Sequence, residues 1–242
     1  MIHEQYAQAI QSVFTRIETD QLPKIEQAAA WIVDAVAAGG AVHVFDTGHI
    51  VNSELINRAG GLALLKSLKY TFSVEDPIRP RDLSGKNRSI EGLAELVLRQ
   101  SNVLPGDILI VGSVSGKTIN VIDLVLAAKK MDVKVIVITS AAYSSALKPD
   151  HSSGYHLYEI GDLVIDNCAP PGDAMIDVPG LENRFGPASG LSSAYLMWLM
   201  SALIVEKMLA RGMQPTVFKS INQPDGPENY QRMVQQYAET GR

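Results

Sequence analysis

Ile108-Leu109-Ile110-Val111-Gly112-Ser113-Val114-Ser115-Gly116-Lys117-Thr118 is the stretch that decides the fold. Its four leading aliphatic residues follow the turn Pro105-Gly106-Asp107 and read as a strand buried on both faces. The next residues are small and hydroxyl-rich, and they open a helix predicted over 118–131, with Ile122, Val125 and Leu126 on one face. Residues 133–139 are again β-branched and apolar and supply the following strand.

The same alternation extends in both directions. Upstream, Ala7, Ile10, Phe14 and Ile17, then Ile25, Ala28, Ile32 and Val36, recur at helical spacing. Pro23 predicts a break or kink near residues 20–23, and Gly39-Gly40 ends the second helix. Residues 41–45 then read as a strand, 51–59 as a helix, 62–66 as a strand, 75–89 as a long loop and 90–104 as a helix. Downstream, 162–166 is the fifth strand, 191–209 a long apolar helix and 227–237 a polar terminal one. Strands alternating with helices of this length predict an α/β fold: a doubly wound, five-stranded parallel sheet with helices on both faces. We divide the chain into N-terminal helices (1–40), the sheet domain (41–212) and a C-terminal extension (213–242). Ligands of such sheets bind outside the carboxyl ends of the strands. The loops after Phe45, Val111, Thr139 and Asp166 therefore carry the candidate site.

Composition bounds the partners. Among 242 residues, 21 Lys and Arg face 26 Asp and Glu, a net charge of −5. That balance argues against a nucleic-acid binder, which neutralises phosphates with clustered cations. It leaves room for a small anion held by backbone N–H groups. Cys168 is the single cysteine, so no internal disulfide forms. The opening residues Met1-Ile2-His3-Glu4-Gln5-Tyr6 lack a signal-peptide pattern. The apolar run 191–205 is interrupted by three serines and falls short of the roughly 18–20 residues that span a bilayer. It reads as a core or subunit-interface helix of a cytoplasmic chain with no membrane partner.

The 113–118 loop at a helix start is an anion site by its own chemistry: unpaired backbone N–H groups, the positive end of the helix dipole, and the hydroxyls of Ser113, Ser115 and Thr118 around Gly116. It is not a triphosphate-binding loop, because three residues rather than four separate Gly112 from Gly116. Nor does Asp46-Thr47-Gly48-His49-Ile50-Val51 carry the glycine pattern of a dinucleotide site. His151, His156 and Cys168 form no zinc pattern, and His43 inside a strand reads as a satisfied core histidine.

With its flanks, the loop resembles the second motif of the SIS (sugar isomerase) domain. That motif is a hydrophobic strand, Ser-x-Ser-Gly-x-Thr, a helix with an Ala-Lys pair, and a strand ending in Thr. The corresponding residues are 108–111, Ser113 to Thr118, Ala128-Lys129 and Thr139-Ser140. Thr47-Gly48-His49 with Arg58-Ala59-Gly60-Gly61, residues 166–174, Gly186-Pro187-Ala188-Ser189 and 217–222 are similar to a stand-alone branch of phosphoheptose-isomerase-like SIS proteins, so the resemblance covers nearly the whole chain. It implies a flavodoxin-like sheet, a phosphosugar ligand bound at the 113–118 loop, and sites built between protomers of a homodimer or homotetramer. Asp46 and Ile50 depart from the family, which carries Gly and Ser there. Two unit charges about 4 Å apart repel by roughly 4 kcal/mol at an effective dielectric near 20. A carboxylate at position 46 therefore predicts a diverged ligand or reaction, with Asp46 taking sugar hydroxyls.

Aldose–ketose isomerisation needs a base that moves a proton between neighbouring carbons, and no cofactor. His49, at a predicted helix start that favours neutral imidazole, and Glu54, one turn on, are the catalytic candidates. Asp46, Gly48, Ser53, Ser113, Ser115, Gly116, Thr118, Ser140, Asn167 and Asn222 are the substrate-binding candidates, Asn222 as a residue reaching a neighbouring subunit's pocket; no metal ligands are assigned. Asp173, Asp177 and Glu182 share the long loop after the fifth strand. The leading function is a sugar-phosphate isomerase; the alternative is a non-catalytic SIS protein that senses a phosphosugar.

Overall fold

The computed structural model describes residues 1–48, 54–82, 84 and 90–242. Helix α1 (Ile2–Arg16), a π-helical segment (Ile17–Gln21) and α2 (Leu22–Ala37) run on without interruption. Where the sequence predicts a break or kink near residues 20–23, the helix continues, with a π-helical segment just before Pro23. Pro23 sits in the first turn of α2, where its missing N–H costs no hydrogen bond. Then follow β1 (Val42–Asp46), β2 (Leu65–Ser67), α3 (Leu93–Gln100), β3 (Ile108–Gly112), α4 (Ile119–Lys130), β4 (Lys134–Thr139), α5 (Ala141–Ser145), α6 (Leu157–Ile160) and β5 (Leu163–Asp166). A hairpin, β6 (Ala174–Ile176) and β7 (Phe185–Pro187), leads into α7 (Ser189–Ala210), and α8 (Gly226–Thr240) closes the chain.

The five central strands form one parallel sheet in the order β2-β1-β3-β4-β5. Residue parity splits the core. Val42, Val44, Ile108, Ile110, Ile136, Ile138 and Ile165 face one way and pack with α2 and α7. Phe45, Leu109, Val111, Val135 and Val137 face the other and pack with α3, α4 and α6. Both faces are covered, which is why these strands are almost uninterrupted aliphatic runs. On α2 the buried residues Ile25, Ala28, Ala29, Ile32, Val33 and Val36 make one stripe, whose alanines let α7 lie close.

Helix α7 is, among the described residues, the one helix long and apolar enough to cross a membrane by length and composition, with a mean hydropathy of 1.3. Its stripe of Leu196, Met197, Met200, Ile204 and Met208 is buried in the core shared with α2. The helix α1 runs on past the carboxyl end of β5, where Arg16 donates to the Cys168 carbonyl (3.4 Å), and packs on β6 and α7.

Several elements differ from the sequence reading: the helix predicted over 90–104 is α3, Leu93–Gln100, and α5 and α6 fall where the sequence predicts no element. Residues 54–57 are turns rather than part of a helix, and 51–53 lie outside the described residues. The second strand begins at Leu65, not 62, because residues 60–63 pair instead with the C-terminal segment: Gly60 N to Phe218 O (2.7 Å) and Ala63 N to Thr216 O (2.9 Å). The loop after β5 contains the β6–β7 hairpin, pinned where Tyr6 donates to Pro187 O (3.2 Å). Ile136→Ala, in the middle of β4 and fully buried, should lower the unfolding free energy by about 2–5 kcal/mol in urea titrations, with a single transition retained.

Candidate functional site

The strand order places a switch point between β1 and β3. The chain leaves β1 towards β2 on one side, and leaves β3 towards β4 on the other. The crevice at the carboxyl ends of such a pair is where ligands of this architecture sit. Asp46 and Gly112 are register partners at its base, and Thr47 N donates to Gly112 O (3.2 Å). A half-exposed carboxylate therefore stands beside the root of the 113–118 loop.

That loop is held by β4 and its neighbours. Ser113 N donates to Ile138 O (3.0 Å). The Val114 carbonyl accepts from Thr139 Oγ1 (3.1 Å) and from Ser140 N (3.1 Å). Gly116 follows at φ +57, a left-handed conformation, and a β-carbon there would lie 2.9 Å from Leu157 Cβ and 2.9 Å from Ser144 Oγ. Position 116 therefore requires glycine for backbone angle and space at once. Leu157 N closes the turn on Gly116 O (3.1 Å). Thr118 is the N-cap of α4, and its side chain makes no capping bond. Its Oγ1, like Ser144 Oγ, is buried without a hydrogen-bond partner among the described residues. The first N–H groups of α4 have no intrahelical acceptor, and the helix dipole adds about half a positive charge there. Lys117 is committed elsewhere, to Asp150 at 3.3 Å.

Of the sequence-predicted residues, Ser113, Ser115, Gly116 and Thr118 thus line one turn at a helix start, with Asp46 beside it. Gly48 is exposed at φ +112. His49 and Ser53 lie outside the described residues. Glu54 is half-exposed and pairs with Arg58 at 2.8 Å. Ser140 is fully buried and caps α5: its hydroxyl donates to Ala169 O (2.6 Å) and accepts from Tyr143 N (3.1 Å). Asn167 is also fully buried, donating to Ser193 Oγ (3.1 Å) and accepting from Ala169 N (3.1 Å). These two brace the carboxyl ends of β4 and β5 from behind. Asn222 is exposed on the C-terminal segment.

Asp173 accepts from Ala188 N (3.1 Å), Ser189 N (2.7 Å) and Ser189 Oγ (2.8 Å), so it anchors the start of α7. Asp177 is exposed and pairs with Arg184 at 3.3 Å. His43 pairs with Asp107 (3.0 Å) at the opposite end of the sheet. Thr139 reads in the sequence only as the end of a strand, and Ser144 and Gln21 escape sequence reasoning. Gln21 reaches from the π segment to accept from Asp166 N (3.1 Å), a contact across 145 positions that no local pattern announces. Among the described residues, no group of three or more His, Cys, Asp and Glu side chains can hold a metal ion. A separate cavity of about 430 Å³ lies at the amino ends of the strands, beside Trp31, Lys129 and Lys134.

Cys168 is buried, and burial, then the Asp166 carboxylate, push its thiol up to about 11. Two outcomes follow. Iodoacetamide at pH 8 should leave the native chain unmodified and alkylate it after denaturation. The folded state holds this proton more tightly than the unfolded one, so stability should fall as pH rises from about 9 towards 11, as read by urea midpoints. Gly116→Ala should lower stability by about 1–3 kcal/mol through the left-handed backbone alone, measured in the same titration.

The SIS domain family matches residues 5–140. A UPF0309 protein of Streptomyces griseus is 33% identical over 235 residues, covering 96% of this chain and 94% of the relative. One from Shouchella clausii is 30% identical over 236 residues, covering 97% and 96%. Among solved structures, phosphoheptose isomerase from Neisseria gonorrhoeae aligns with a TM-score of 0.48 at 15% identity, over 84% of this chain and 96% of that one. The Francisella tularensis phosphoheptose isomerase gives 0.47 at 16%, over 85% and 96%.

Proposed function

This chain belongs to the SIS domain family, and we propose on that premise that it binds a phosphorylated sugar and isomerises it between aldose and ketose forms. One observation carries the reading: a hydroxyl-bearing turn, forced to glycine at position 116, delivers the free N–H groups of α4 to the switch point of the sheet. Backbone N–H groups and the Ser115 hydroxyl take the phosphate oxygens. This explains how a chain of net charge −5 holds an anion without a free lysine in the loop. Asp46, next to Gly112, accepts from sugar hydroxyls and selects a ligand whose uncharged part lies on its side.

The chemistry needs one base. His49 takes the proton from C2 of the open-chain aldose, giving an enediol, and returns it to C1 while the carbonyl oxygen gains and the C2 hydroxyl loses a proton. Glu54, released from Arg58, carries the proton from the C2 hydroxyl to the C1 oxygen. The chain works as a homodimer or homotetramer in which Asn222 reaches the neighbouring site. The apolar outer side of α7, with Leu191 and Leu209 about half exposed, favours that assembly.

Ser115→Ala should weaken binding of ribose 5-phosphate about tenfold or more in calorimetric titration, with the urea midpoint unchanged. In D₂O the wild type should wash deuterium into C1 or C2 of a bound sugar phosphate. His49→Gln should lower kcat about 10²–10⁴-fold with little change in KM. Binding without any deuterium exchange would establish the sensor reading instead, the one that the Asp46 departure favours.

A further inference from the structure

Between Gly112 and Thr118 the sole charged side chain is Lys117. It stands one residue before the N-cap of α4, about 3.8 Å away from Cα to Cα. Its ammonium rides on a flexible four-carbon stem. The tie of Lys117 to Asp150 has two parts of unequal strength. The backbone part is firm: Asp150 N donates to the Lys117 carbonyl at 2.9 Å. The side-chain part is loose. The ammonium lies 3.3 Å from both carboxylate oxygens, longer than a good charge-assisted bond. The two side chains are 38% and 46% exposed. An ion pair so open to water biases its side chains by about fivefold at most. Among the described residues the Asp150 carboxylate has no other partner. Asp150 also shares the wall of one groove with Ile119 and Asn120, the first residues of α4. The loosely held ammonium therefore waits beside the helix start.

We propose that Lys117 is the counter-ion of the bound phosphate, and that Asp150 is a resident competitor from which the ligand takes the ammonium. The inference rests on the reading of residues 113–118 as the phosphate loop. The exchange needs only rotation about side-chain bonds. The backbone of the loop stays where β4, Leu157 N and Asp150 N hold it. Asp150, once released, is exposed enough to be hydrated, so the exchange leaves no buried, unpaired charge. A phosphate monoester carries about 1.5–2 negative charges at pH 7 and three acceptor oxygens. It therefore offers the ammonium more than one carboxylate does, and it does so in the positive field of the helix start. The ammonium also offsets Asp46, the register partner of Gly112 at the root of the loop, whose carboxylate repels a bound phosphate. Lys117 thus adds a full charge to the backbone N–H groups, and Asp150 limits how much affinity that charge gives.

Calorimetric titration with ribose 5-phosphate of the wild type, Lys117→Met, Asp150→Asn and the double variant forms the cycle that tests the exchange. Lys117→Met should weaken binding about tenfold or more, the scale of one hydrogen bond to a charged group. Asp150→Asn should tighten binding about two- to fivefold, because the competitor is gone. In the Lys117→Met background that gain should vanish. Removing a negative charge near the phosphate tightens binding by itself, but such a gain would persist without Lys117. Both side chains are on the surface, and unchanged urea midpoints separate loss of the counter-ion from loss of the fold. Three results would overturn the exchange: unchanged affinity in Lys117→Met, no gain in Asp150→Asn, or a gain that survives in the double variant. Weakening by Ser115→Ala would in each case leave the phosphate loop standing. Failure of the wild type to bind ribose 5-phosphate would remove the phosphate reading and this inference with it.

Discussion

The Val114 carbonyl, held by the Thr139 hydroxyl and the Ser140 amide, is the contact on which the candidate site depends. A loop that leaves a buried strand is free to take many paths, and fixing each residue costs about 1–2 kcal/mol in backbone entropy. Here the loop is closed from both ends, by β4 through Val114 and by α6 through Gly116 O. The turn that results presents the amino end of α4 at the switch point. The buried Thr139 hydroxyl is thereby spent on the position of the loop, while the Ser140 hydroxyl caps α5 and binds the Ala169 carbonyl. Substituting Thr139 would loosen the turn without removing a hydroxyl of the loop itself, a different failure from the loss of Ser115.

The rest of the fold holds this arrangement rigid. The aliphatic strands β3 and β4 are buried on both faces, so neither can shift along the other without exposing its core residues. The carboxyl end of β5 is locked to α7 by Asn167 and to the π segment by Gln21. The long N-terminal helix thus serves two ends: α2 covers the sheet, and α1 buttresses the hairpin beyond it. The acidic balance of the chain is compatible with an anionic ligand because the positive charge is a backbone dipole, confined to the first turn of one helix.

The sheet was legible because its signals are local. Runs such as 108–111 and 133–139 announce buried parallel strands, and the loops between them fall where the alternation demands. The 113–118 loop was legible for the same reason, since its small residues, hydroxyls and helix start are contiguous. What stayed hidden is non-local. Residues 60–63 abandon the predicted strand to pair with 216–218, more than 150 positions away, and no pattern in either segment encodes the other. Ser140 and Asn167 sit at the predicted strand ends, yet which groups their polar atoms reach is set by α5 and α7. The hairpin within 167–188 is only three residues to a strand, too short for an alternating pattern to emerge.

The central claim is that the turn at the start of α4 is where a phosphate binds. The most direct measurement is a backbone amide chemical-shift titration of the isotope-labelled chain with ribose 5-phosphate. The account predicts saturable shifts that are largest across residues 114–120, around the first turn of α4. Shifts centred on the opposite cavity around Trp31 and Lys134, with the α4 start unmoved, would contradict it.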